Sequence, residues 1–113
     1  MNPKVKKKWL AALTRPDTEP GWYKKAKHRL VQTDDGVDSF CCLGVLNNLA
    51  IEEGILDPGY WNDEHRTWKT CTIPIVVQEW AGINPETCRS LATINDHSGD
   101  TFEEVVEHIK TNL

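Results

Sequence analysis

The chain has 113 residues, enough for one domain and too few for two comfortable ones. With 27% charged and 39% hydrophobic residues its composition is globular, and folding should bury roughly two-thirds of the surface of the unfolded chain. Thirteen Lys and Arg against seventeen Asp and Glu give a net charge of −4, which argues against a general nucleic-acid coat and against a polybasic membrane anchor.

The start, Met1-Asn2-Pro3-Lys4-Val5-Lys6-Lys7-Lys8, is basic, but no apolar run follows it, so it does not read as a secretory signal. No stretch approaches the ~20 apolar residues of a membrane helix, and a cytoplasmic domain without membrane partners is expected. Asn2 reads as an N-cap with Pro3 at the first helical position. Val5, Trp9, Ala12 and Leu13 then recur at helical spacing, and Pro16 forces a stop by Arg15. Gly21 to Arg29 is aromatic and basic together. Two strands follow, His28 to Thr33 and Val37 to Cys41, joined at Asp35-Gly36, a pair suited to the positive φ angles of a type I′ turn. That register sets Val31 opposite Phe40 and Leu30 opposite Cys41.

A second helix is predicted from Cys41 or Cys42 to about Glu53, ending at Gly54, with Cys42, Leu43, Leu46, Leu49 and Ala50 as its apolar stripe. On that wheel Cys41 points away from the stripe and is expected to be the more accessible thiol. Ile55 to Thr72 reads as a long loop with Tyr60, Trp61 and Trp68, and with a short strand near Trp68. A third helix has Pro74 in its first turn, a stripe of Ile73, Val76, Val77 and Trp80, and Gly82 at its end. Asn84-Pro85 opens a short helical turn toward Leu91. The last helix is introduced by Thr101-Phe102-Glu103-Glu104, the pattern of a capping box, and carries Phe102, Val105, Val106 and Ile109. The sum is a helix-dominated α+β fold: a single domain over residues 1–113, with about four helices packed on a short β-hairpin or small sheet.

The four cysteines (Cys41, Cys42, Cys71, Cys88) form no C-x-x-C, and the four histidines form no H-x₃₋₅-H, so reduced thiols, no metal and no cofactor are expected. His65 and His108 read as solvated surface groups.

Several spaced motifs carry a resemblance. Trp9-Leu10-Ala11-Ala12-Leu13, Gly21-Trp22-Tyr23, Phe40-Cys41-Cys42-Leu43-Gly44-Val45-Leu46, Trp80-Ala81-Gly82, Leu91 with Asn95-Asp96, and Phe102 follow one another in order. Together they resemble a family of short uncharacterised proteins encoded largely by phages and prophages. Two positions depart from its pattern: Arg15 to Pro20 is longer than the family's tight turn, and Lys25 replaces a glutamine. The resemblance implies a phage-type accessory protein in the host cytoplasm and assigns no activity.

Three functional readings stand. The first is binding and sequestration of a small anionic, nucleotide-like ligand, extended by the resemblance to a host defence signal. Trp22, Tyr23, Trp61 and Trp68 lie in predicted loops and offer stacking faces, and Lys24, Lys27 and Arg29 offer charge for phosphate, with Asn95 and Asp96 as further polar candidates. The competing account is that these rings only plug a loop-rich core. The second is a hydrolase with Cys41 as nucleophile at a helix N-terminus, with His97 as base and Asp96 as its orienter. The competing account is a buried cysteine pair, with Asn95-Asp96 as turn residues before Ser98-Gly99. The third is an interaction module that docks on a host protein.

Overall fold

The computed structural model describes residues 1–62 and 72–113. Helix α1 runs over Pro3–Thr14, where the Asn2 side chain accepts from the backbone N–H groups of Lys4 (3.0 Å) and Val5 (3.4 Å). Proline at the first helical position lacks a donor that would have no partner there anyway, so the cap and the proline together fix the start. Val5, Trp9, Ala12 and Leu13 are the buried face, as their spacing predicts.

The sheet has three strands in the order β1-β3-β2. Strands β2 (Val31–Asp34) and β3 (Val37–Phe40) form the antiparallel hairpin, with Val31 opposite Phe40. Asp35 and Gly36 have φ of 50° and 76°, the left-handed pair that a type I′ turn demands. The expected strand start at His28 is not formed, because His28 itself has φ of 67° and bends the chain ahead of β2. An additional strand, β1 (Lys24–Lys25), pairs parallel with β3, placing Lys25 beside Phe40. Two residues are too short to show a period of two, so the sequence pattern carries no sign of β1.

Helix α2 (Cys42–Glu52) is the core of the molecule. Beyond its predicted stripe it also buries Gly44, Val45 and Asn47, so nearly its whole circumference is covered. Helix α1 lies on one side of it, α4 (Pro85–His97) on another, and α5 (Glu103–Asn112) closes the ring by packing against both α1 and α4. The short α3 (Ile75–Ala81) adds to α2, and a 3₁₀ turn at Pro58–Trp61 follows α2. The fold is therefore the expected helix-dominated α+β domain, with five α-helices among the described residues and a three-stranded mixed sheet. None of these helices is long and apolar enough to cross a membrane. Trp68, the short strand expected near it, His65 and Cys71 lie outside the described residues.

Four local expectations are corrected. In α3 the inward residues are Val77, Gln78 and Ala81, whereas Ile75 and Val76 are 70% and 46% exposed and Trp80 is half-buried. A buried glutamine is tolerated there because its amide donates to the Ile73 carbonyl at 3.0 Å. Helix α4 extends through Asn95-Asp96-His97 instead of stopping near Leu91, because its polar residues find partners in neighbouring elements. At α5 the capping box does not form: Phe102 occupies the cap position, buried in the core, and no side chain caps the first turn. Finally, Cys41 is fully buried rather than accessible, and its Sγ accepts from the Gly44 N–H at 3.4 Å as the cap of α2.

Gly44 marks the closest approach in the core. A Cβ at this position would overlap the carbonyl oxygen of Leu30, the residue just before β2. Helix propensity alone favours alanine over glycine by about 1 kcal/mol. Gly44→Ala should nonetheless destabilise the fold by about 2 kcal/mol or more, because rigid backbone rather than a movable side chain must yield. Urea unfolding of the two proteins checks the sign.

Candidate functional site

Trp22, Tyr23 and Lys24 line an open cleft of about 740 Å³. One wall is the end of α1 with the residues after it and the Trp22–Lys25 segment; the other is α5 with the loop that precedes it. Leu13, Phe102 and Val106 give the cleft an apolar base, and the Trp22 ring stands at 42% exposure. A large aromatic side chain left that exposed gains little from core burial, so packing alone does not account for it.

Beside Lys24, the cleft collects charges that the sequence reading did not put forward as site residues: Arg15, Asp17, Lys25, Asp100, Glu103, Glu107 and Lys110. Arg15, Lys24, Lys25 and Lys110 are matched by Asp17, Asp100, Glu103 and Glu107. Glu103, Glu107 and Lys110 follow one another at i, i+4 and i+7 on α5, the spacing of a single helix face, which is the sequence signal that would have found them. Lys25 is held in place: its ammonium donates to Ser98 Oγ and to the Gly99 carbonyl, both at 2.6 Å, at the end of α4. Burial and the nearby Lys27 lower its pKa. Arg15 donates one guanidinium N–H to the Gly21 carbonyl at 3.2 Å, which ties together the two ends of the exposed stretch between them.

The other expected site residues lie elsewhere. Trp61 is half-buried against Phe40 and Tyr60, with ring centroids 6.0 Å and 5.0 Å away, and its indole N–H donates to Asn48 Oδ1 at 2.6 Å. Phe40 in turn meets Tyr23 edge-on at 5.4 Å, so Trp61 stands behind the cleft-lining Tyr23 in one aromatic row. Lys27 and Arg29 flank His28, half-buried, and are not among the cleft lining.

Asn95 and Asp96 hold elements together. Asn95 is fully buried; its Oδ1 accepts from the Cys42 N–H (3.1 Å) and its Nδ2 donates to the Ala26 carbonyl (2.8 Å). Asp96 accepts from the His28 backbone N–H at 2.7 Å and pairs with the His28 ring at 3.2 Å, which fixes the unusual backbone at that residue. The carboxylate expected to orient His97 is thus directed to His28, and His97 is exposed at the end of α4. Cys41, buried at the other end of its capping bond, is not brought to a surface where a substrate could meet it.

Fold and cleft together define a small helix-dominated α+β domain with an open, aromatic and charge-lined groove. The chain belongs to the family DUF8296, a domain of unknown function whose match spans residues 1–113. No curated protein and no solved structure matches it.

Two outcomes follow from these contacts. Asn95→Ala removes the acceptor of the buried Cys42 N–H and the donor to the Ala26 carbonyl and should cost about 2–4 kcal/mol in urea unfolding, whereas Trp22→Ala should change stability by about 0.5 kcal/mol or less. Burial raises the Tyr23 phenol above its usual value, against a lowering hydrogen bond with Asn48. The unfolded chain therefore loses this proton first, so the stabilisation is complete below about pH 10 and falls as pH climbs through the folded value. Tyr60 shifts in the same direction through burial. Tyr23→Phe should make the alkaline fall in stability shallower without removing it, as read from urea midpoints between about pH 8 and about pH 11.

Proposed function

We propose that this domain binds a small anionic, nucleotide-like molecule in the cleft beside Trp22 and performs no chemistry on it. The observation that carries this reading is the Trp22 ring, 42% exposed on the lining of a cleft of about 740 Å³. That volume lies within the ~300–1,000 Å³ range of small-molecule sites. A planar base stacked on such a ring gains about 1–3 kcal/mol. The ammonium groups of Lys24 and Lys110 enter no hydrogen bond or ion pair among the described residues, and that of Lys24 stands on the same wall as Arg15, where a phosphate can meet both. Arg15 adds the donors it does not use on Gly21.

A long polyanion is a poor partner for a chain of net charge −4, which favours a compact phosphorylated ligand over nucleic acid. The resemblance to phage-encoded proteins adds a setting, the sequestration of a host signalling nucleotide, and stands on the motifs alone. Cys41 is buried, which counts against thiol chemistry among the described residues.

Isothermal calorimetry with linear and cyclic nucleotides tests it. Binding should be weakened about tenfold or more by Trp22→Ala, with an unchanged melting curve. An absence of heat and of any thermal shift across the panel at millimolar ligand overturns the reading.

A further inference from the structure

We infer that the cleft selects a dipolar aromatic ligand, with one phosphate at one end and hydrogen-bond donors at the other, as in a purine nucleoside monophosphate bearing an exocyclic amine. This rests on the binding reading above and narrows it to a ligand class.

The argument is the sorting of charge between the two walls. Arg15, Lys24 and Lys25 lie on the wall made by the end of α1 and by β1. Asp100, Glu103 and Glu107 lie on the wall made by α5 and its leading loop. Asp17 and Lys110 each stand on the wall of opposite sign, so the lining sums to no net charge. Such a cleft is not a polyphosphate trap. Each phosphate beyond the first must be held either against three carboxylates or in competition for the same few cations. Lys25 contributes little to a ligand, because Ser98 and Gly99 already take its donors.

Ionised carboxylates only accept hydrogen bonds, so whatever meets Glu103 and Glu107 must donate. An amino group on a base does so; a second phosphate or a base edge that carries no N–H does not. Trp22 supplies the exposed face for the ring between these ends, above the apolar base of Leu13, Phe102 and Val106. An aromatic amino acid has the same chemistry in smaller form, a ring with an anion and an ammonium group, and it is the competing source.

The experiment is calorimetry of the full chain in metal-free buffer at fixed ionic strength. The ligands are adenosine monophosphate, purine riboside monophosphate, adenosine triphosphate and L-tryptophan. Adenosine monophosphate should bind about tenfold more tightly than the triphosphate and about fivefold more tightly than purine riboside monophosphate, whose base has no N–H donor. Replacing both acids (Glu103→Gln with Glu107→Gln) should bring the monophosphate and triphosphate within about threefold of each other. Both side chains are exposed, and the melting temperature should not change.

Several results overturn the ligand class while leaving nucleotide binding itself intact: a triphosphate that binds as tightly as the monophosphate, a purine riboside nucleotide that equals adenosine, or a ratio unmoved by the double substitution. Tighter binding of L-tryptophan than of any nucleotide overturns it in favour of the amino-acid source. If none of the four binds, both the cleft reading and this inference fail together.

Discussion

The peptide units at the start of α2 are the point on which the rest of the molecule depends. The Cys42 N–H is accepted by Asn95 from α4, and the Cys42 carbonyl accepts the Trp9 indole N–H from α1 at 2.9 Å. One residue before, the Cys41 N–H donates to the Leu30 carbonyl at 3.2 Å. Two residues after, Gly44 lets the same Leu30 carbonyl lie against the helix. A helix start normally leaves its first N–H groups to water or to a local cap. Here those groups are buried, so partners must come from elements far away in sequence. The first turn of α2 therefore forms properly only when α1, α4 and the hairpin are all in position.

This junction also builds the cleft. Asn95, having accepted from Cys42, donates to the Ala26 carbonyl, while the Ala26 N–H donates to the Phe40 carbonyl at 2.8 Å. The segment just after β1 is thus fixed between α4 and β3, and Lys24 and Trp22 are carried outward ahead of it. The Lys25 ammonium fastens the same segment to Ser98 and Gly99, directly before the loop that leads into α5. The two walls of the cleft are accordingly anchored to one framework, which limits how far they can part and keeps the opposing charges in register. A site on rigid supports loses less entropy on binding than one that must order its loops.

Local signals were legible in the sequence and distant ones were not. Asn2-Pro3 and Asp35-Gly36 act through their own backbone angles and nearest N–H groups, so a few residues suffice to read them. Trp9 and Leu13 follow from helical spacing. Asn95 could not be read this way: a polar residue followed by Asp96 and Ser98-Gly99 has the composition of a turn, and only its partners 53 and 69 positions away turn it into an interior helical residue. The same holds for Gly44, whose need for a hydrogen in place of a side chain comes from Leu30, and for Thr101, whose capping pattern gives way to burial of Phe102. In the site, Trp22 and Tyr23 were legible as rings outside the regular segments. Trp61 met the same criterion but has its indole N–H bonded to Asn48 behind the cleft, so exposure depends on a partner that spacing does not reveal.

That difference between two tryptophans is what separates fold from function here. Trp61 has its polar atom bonded and packs against Phe40 and Tyr60 in the aromatic row, so it serves the folded chain. Trp22 follows an exposed stretch tied across its ends by Arg15 and Gly21, takes no part in the core cluster, and stands at the cleft beside Lys24. The framework that holds it, from Asn95 to Ala26 and Phe40, does not use its side chain. The cleft lining at Trp22, Lys24, Glu103 and Glu107 is therefore free to change with the ligand, while the junction at Cys42 keeps the walls in place.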